Sequence, residues 1–285
     1  MNASTDTVNN ANGVAPANNV EASGQQPAAV KKPLSALYKD LVLLDRRFHT
    51  GKRVKPVSDW SIARGMNAVF ASVVEFYDIA REYPIAFIVV GKTDQGRALV
   101  SPVALLGLRD LENAYVTPDG QWNARYIPAF LRRYPFAFVQ TEDNQLGVGI
   151  DAAWSGLNDT DGELLIDEKG ESTPFLQQVL KFLDHFEQDV HRTRILCDKL
   201  VELNLLRAGE IGGQLPNGEA VKATGLFLID EQKLRELPDA TVLELHRNGM
   251  LGLINAHLLS VGQVSQLAQR MLPAQQAAQQ QAPQA

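Results

Sequence analysis

The side chains able to do chemistry in this chain are few, and their spacing limits what they can do. The five histidines are His49, His185, His191, His246 and His257. A helical metal pair needs ligands three or four residues apart. His185 and His191 are six apart, which sets them on nearly opposite sides of a helix. Neither HExxH nor CxxC occurs. His257, with Ser260 three residues further on, is the histidine best placed for a binding or catalytic part; the plainer reading is a satisfied core or interface ring. Cys197 is the single cysteine, in a helical stretch between Leu196 and Asp198, and reads as a buried, inert thiol with no disulfide partner in the chain. Ser61, Ser101, Ser155 and Ser260 lack the G-x-S-x-G elbow that hydrolase chemistry uses.

Two further stretches approach known binding loops. "GVGIDA" (147–152) matches G-x-G-x-x-A, but its glycines fall in the returning strand of an expected hairpin, not between a strand and a helix. "LNDTDGELLIDE" (157–168) sets Asp159, Asp161, Gly162 and Glu168 at positions 3, 5, 6 and 12 of a calcium loop. Its first position is Leu157, which removes a hard carboxylate, so an acidic surface turn is expected and no metal. The sequence names no cofactor.

The elements that would position these groups are announced by a phrase written twice. "REYPIAFIVV" begins at Arg81 and "RRYPFAFVQT" at Arg132. Arg81, Tyr83, Pro84, Ala86, Phe87 and Gly96 fall on Arg132, Tyr134, Pro135, Ala137, Phe138 and Gly147 at one fixed offset. Before the first phrase, Val69, Val73, Phe76, Ile79 and Ala80 recur at helical spacing, so a helix is expected there, ended by Pro84. After it, "IAFIVV", the turn "GKTDQG" and "RALVSPVALL" read as strand, turn and strand. The second phrase follows the same plan, with a shorter helix in "YIPAFLRRYP", then "FAFVQT", the turn "EDNQ" and "LGVGIDAAWSGL". Two such hairpins are expected to share one antiparallel sheet. At their meeting, Arg81, Arg132 and Arg133 would form a cationic pocket with Tyr134 beside it; the plainer alternative is core packing with surface ion pairs.

From Thr173 the pattern changes to one long amphipathic helix, with Thr173 as N-cap, Pro174 as first helical residue and Gly209 as its stop. A loop over "AGEIGGQLPNGEA" leads to the strand "VKATGLFLID", then to two short helices separated at Pro238, the apolar stretch "MLGLINAHLLS" and a closing helix in "VGQVSQLAQRM". The fold class is α+β: an antiparallel sheet from two similar helix–Tyr-Pro–hairpin units, packed by a long helix and a helical C-terminal lobe. Residues 1–32 and 272–285, rich in Asn, Gln and Ala and poor in large apolar side chains, read as disordered tails around a globular domain at 33–271.

With 285 residues and 45% hydrophobic content the chain can bury a sizeable core. A net charge of −6 gives no basic field for nucleic acid, and the five cations of "DRRFHTGKRVK" (45–55) read as solvated surface. The N-terminus lacks the cationic start and apolar core of a Sec signal, and no apolar run is long enough for a transmembrane helix. By sequence the expectation is cytoplasmic.

The phrase "FYDIAREYPIAFIV" (76–89), together with "RYIPAFLRRYPFAFV" (125–139) and the closing stretch from Gly225 to Arg270 with its "AHLLS", resembles the SapC family of bacterial proteins. The chain departs from the family where members often carry a Val-Pro-Leu type segment; here "VFASVVEF" precedes and includes Glu75–Phe76. The resemblance implies association with a bacterial surface layer, reached by a non-Sec route, and brings no catalytic residues. Three readings therefore stand side by side. One is a surface-layer-associated or interaction protein, self-associating or binding a protein partner. The second is a cytoplasmic enzyme or accessory factor taking a small anionic molecule or peptide at Arg81, Arg132, Tyr134 and His257. The third is a scaffold that binds a partner through an exposed strand edge. Whether the chain is an enzyme is left open.

Overall fold

The structure is a computed structural model that describes residues 36–140 and 146–271. The expected tails and the expected turn "EDNQ" lie outside the described residues. In chain order the strands are β1 (Leu41–Leu43), β2 (Arg53–Val54), β3 (Ala68–Phe70), β4 (Ile85–Lys92), β5 (Ala98–Leu105) and β6 (Phe136–Gln140). They continue as β7 (Leu146–Asp151), β8 (Leu157–Asn158), β9 (Glu163–Leu164), β10 (Leu206–Gln214) and β11 (Ala220–Ile229). The helices are α1 (Arg46–His49), α2 (Phe76–Ile79), α3 (Ala129–Arg132), α4 (Pro174–Glu202), α5 (Glu231–Arg235), α6 (Asp239–Arg247), α7 (Met250–Ser260) and α8 (Val264–Arg270). These strands pair antiparallel, and the fold class is α+β.

The described residues fall into two compact units, one from 36–56 with those described between 133 and 183, the other from 57–132 with 184–271. In the first unit β1, β7 and β6 form a three-stranded sheet in that order, and β8, β2 and β9 a small second one. Val42, Phe136, Val148, Ile150, Leu165 and Leu176 belong to its aliphatic and aromatic core. Gly149 is required where it stands: a Cβ there would lie 2.9 Å from Val139 and 3.1 Å from Leu41. Asp151 is fully buried at the end of β7 and accepts from the backbone N–H of Asp40 (2.9 Å), Lys39 (3.1 Å) and Ala153 (3.2 Å). That carboxylate fixes the turn before β1 to the sheet.

The second unit holds a five-stranded sheet in the order β10-β11-β4-β5-β3. The two repeated phrases therefore do not share a sheet, which corrects the expected common framework: β4–β5 lies in this sheet and β6–β7 in the three-stranded one. The physical reason is that a hairpin's outer neighbours are chosen by distant strands, β11 and β3 in one case and β1 in the other. The helix expected before Pro84 is also shorter. Val69 and Phe70 join β5 as strand, and Ser72 closes the helix start by donating its Oγ and N–H to the Glu75 carboxylate at 2.8 and 3.4 Å. Val69, Val73, Phe76 and Ile79 are nonetheless all buried.

Helix α4 begins where expected, with the Thr173 hydroxyl accepting from the Leu176 N–H at 3.3 Å. It ends earlier, at Glu202, because Asn204 takes a left-handed turn (φ 53°). Gly209 falls inside β10, so residues 208–214 of the expected loop are strand. In the C-terminal lobe, Asp230 caps α5 through the N–H groups of Gln232 (3.1 Å) and Lys233 (3.2 Å). His257 and Ser260 tie α7 to the sheet. His257 Nε2 accepts from the Ile229 N–H at 3.2 Å, and Ser260 Oγ accepts from the Ile85 N–H at 2.9 Å.

Candidate anion-binding cleft

In the second unit α2 and the turn after it, the loop before α3 and helix α8 enclose a cleft of about 540 Å³. Its walls are Asp78, Arg81, Glu82, Arg125, Tyr126, Gln266 and Arg270. The loop is built from the inside out. Tyr83, buried because the turn before Pro84 drives its ring inward, donates its hydroxyl to the Tyr126 carbonyl. Trp122 Nε1 donates to the Tyr83 oxygen at 3.0 Å and to the Tyr126 carbonyl at 3.2 Å. Tyr115 donates to the Glu82 carbonyl at 2.6 Å and lies 4.5 Å, ring to ring, from Tyr83. Burial pushes the Tyr83 and Tyr115 hydroxyls well above the usual phenol range, so both remain protonated donors.

Glu82 finishes the loop. Its carboxylate accepts from the Arg125 N–H at 3.0 and 3.1 Å and from the Tyr126 N–H at 2.9 Å. Beneath Tyr126 lies a second carboxylate. Glu75, only 4% exposed, accepts from the Tyr126 hydroxyl at 2.7 Å and the Ala129 N–H at 2.6 Å. Burial, reinforced by Glu75, raises the Tyr126 phenol. Arg132 stacks 5.5 Å from the Tyr126 ring, donates to its hydroxyl at 3.2 Å and to the Ile127 carbonyl at 2.9 Å.

The charges left facing the cleft do not balance. Arg81 pairs with Asp78 at 3.2 Å. Glu82 is engaged by backbone amides. Arg270 is held 4.9 Å over the Tyr115 ring and donates to the Asn123 carbonyl at 2.6 Å. Among the described residues no carboxylate lies within ion-pair distance of Arg125 or Arg270. Three guanidinium groups against two engaged carboxylates suit an anion, and a guanidinium fork matches carboxylate or phosphate.

Of the expected site residues, Arg81 lines this cleft and Arg132 braces it from behind Tyr126. Tyr134 belongs to the first unit, where its hydroxyl donates to Asp151 at 3.0 Å. His257 is wholly buried against Phe87, ring centroids 5.2 Å apart, and burial pulls its pKa down to about 4. Asp159 pairs with Lys52 at 2.7 Å and Asp161 with Lys55 at 3.1 Å, while Glu168 stands exposed. Among the described residues no group of three or more His, Cys, Asp or Glu side chains is placed to hold a metal ion, and no helix is long and apolar enough to cross a membrane. Sequence reasoning missed Arg125, Arg270, Glu82 and Glu75. The only local signal among them is the Ser72-x-x-Glu75 capping pattern.

Comparison with protein-family models matches SapC over residues 44–267, which takes in both units and every wall of the cleft except Arg270. The chain belongs to the SapC family. Comparison with curated proteins and with solved structures returns no match.

Proposed function

We propose that this SapC-family protein binds an anionic group, a carboxylate or a phosphate, in the cleft lined by Arg81, Arg125 and Arg270. The observation that carries the reading is the pair of guanidiniums at Arg125 and Arg270, neither with a carboxylate partner among the described residues, with Arg270 held by the Asn123 carbonyl and the Tyr115 ring. Tyr126, Glu82, Glu75 and Arg132 act as positioning residues that hold the loop. Both carboxylates that line the cleft are engaged, Asp78 by Arg81 and Glu82 by backbone amides, which suits recognition of an anion. Two charge-assisted hydrogen bonds, each contributing about 2 kcal/mol, give a dissociation constant of about 1 mM for a small anion.

Isothermal titration with inorganic phosphate, acetate and an acidic peptide, each at constant ionic strength, reads this reading out. Saturable heat with phosphate or acetate supports a free small anion, and heat with the peptide alone supports a peptide carboxylate. No saturable heat with any of the three rejects the reading. The surface-layer association implied by the family resemblance is a separate property, which cell-envelope fractionation measures independently.

A further inference from the structure

The five-stranded sheet has an open seam. β11 and β4 meet at a single residue pair, Phe227 with Phe87. Gly225, two residues before Phe227, is left-handed at φ 72°. On its other side β11 pairs with β10: Val221 and Ala223 stand opposite Gly213 and Ile211, and the Leu215 N–H bonds the Glu219 carbonyl at 2.8 Å. Residues of an antiparallel strand turn their N–H and C=O alternately to one neighbour and the other, so Ala220 and Lys222 present theirs to the edge away from β10. Among the described residues no strand pairs with that edge ahead of Phe227. A cleft of about 580 Å³ lies along it, with Ile88, Val103, Leu105, Leu108 and Leu226 among its walls.

The chain itself arrives at this cleft. Met271 ends α8 and is 1% exposed, and its Sδ accepts at 3.4 Å from the N–H of Leu108, a cleft wall. Its backbone is already extended, at φ −75° and ψ 137°. Fourteen residues, "LPAQQAAQQQAPQA", follow it in the sequence. At about 3.3 Å per extended residue they reach about 45 Å, against about 20 Å for the edge from Ala220 to Leu226.

We propose that residues 272–285 occupy this cleft in their own chain, laid as an added strand along the open edge of β11. Charge selects the occupant. The charged residues of the cleft are already matched: Arg109 pairs with Glu219 at 2.8 Å and Glu112 at 3.0 Å, Lys222 pairs with Glu210 at 2.8 Å, and Asp110 accepts from the Asn67 side chain at 3.3 Å. A charged segment has to break one of these contacts, whereas "LPAQQAAQQQAPQA" has no ionisable side chain. Its alanines and Leu272 suit the aliphatic walls and its glutamine amides the polar rim. Its backbone supplies the donors and acceptors that complement Ala220 and Lys222, the mode of strand addition. Pro273 disfavours helix at Leu272, so the extended path begun at Met271 continues. Composition alone reads the segment as disordered; ordering it takes a template, and the edge of β11 is one.

A nitroxide placed on Gln279→Cys of the full, ¹⁵N-labelled chain tests the proposal, since Cys197 is buried in the fold. The expected result is loss of the Leu105, Lys222 and Thr224 amide signals, undiminished on dilution, with none when a spin-labelled chain is mixed with a separate ¹⁵N-labelled one. Ala277→Asp with Ala278→Asp puts charge into the segment, and hydrogen exchange at the Lys222 N–H is then expected to quicken at least about tenfold. Signal loss that is absent or spread evenly over the surface, loss that appears equally in the mixed sample, or Lys222 exchange indifferent to the charged variant overturns the proposal.

Discussion

Glu82 holds the Tyr126 backbone N–H at 2.9 Å, and with it the Arg125 N–H at 3.0 and 3.1 Å. One carboxylate from the first Tyr-Pro phrase therefore fixes the start of the segment that leads into the second. Tyr83 of the same phrase donates its hydroxyl to the Tyr126 carbonyl, so the backbone that carries Arg125 is held from both sides.

Glu82→Ala removes a charged acceptor from two backbone donors and is expected to lower stability by about 2 kcal/mol. Glu82→Gln, which keeps one acceptor oxygen, falls between. Urea denaturation measures both, and phosphate affinity should fall in the same order because the backbone that carries Arg125 is no longer held.

Glu75 is buried and receives the Tyr126 hydroxyl, the Ala129 N–H and the Ser72 hydroxyl. Glu75→Ala leaves those donors without their acceptor, with an expected loss of about 3 kcal/mol. Tyr126→Phe, which removes one hydroxyl, is expected to cost about 1 kcal/mol. A double-mutant cycle by chemical denaturation should show coupling between the two positions, since they share one bond.

His257 gives the fold a pH dependence. Its folded pKa is about 4 against an ordinary value of 6.5, depressed by burial, so the unfolded chain binds the extra proton between these values. The stability contribution is full above pH 6.5, declines as pH falls through that window, and levels off below about pH 4, by about 3 kcal/mol in total. His257→Gln keeps an acceptor for the Ile229 N–H but cannot take up the proton. Denaturation midpoints measured across this window should show a flatter profile for the variant than for wild type.

Cys197 is 3% exposed, and burial pushes its thiol pKa up to about 12. The thiol is expected to react with a disulfide reagent at neutral pH only after denaturant is added. Rapid labelling of the folded protein would contradict that placement.

Much of the strand content was legible. "IAFIVV" and "FAFVQT" are rich in β-branched and aromatic residues and bounded by turn residues, a signal that survives whatever sheet the strand joins. Their sheet partners were not legible, because pairing is decided by β1, β3 and β11, far off in sequence. β10 hid behind Gly209, Gly212 and Gly213, which read as loop. Tertiary packing explains two of them: a Cβ at Gly212 would lie 2.8 Å from Lys222, and one at Gly213 would lie 3.1 Å from Ala268. The helix expected before Pro84 is shorter than its spacing suggests, because buried residues at helical spacing can equally belong to a strand followed by a short turn of helix. Arg81 could be read from the repeated phrase. Arg125 and Arg270 could not, since a lone arginine gains meaning only from the partner it lacks.

The central claim, that the Arg125–Arg270 cleft takes an anion, is tested most directly by titrating ¹⁵N-labelled protein with inorganic phosphate at constant ionic strength. The account predicts saturable shifts of the Asn123, Arg125 and Tyr126 amides, lost in the Arg125→Ala/Arg270→Ala variant while the rest of the spectrum keeps its dispersion. Shifts that never saturate, or that persist unchanged in the double variant, would contradict it.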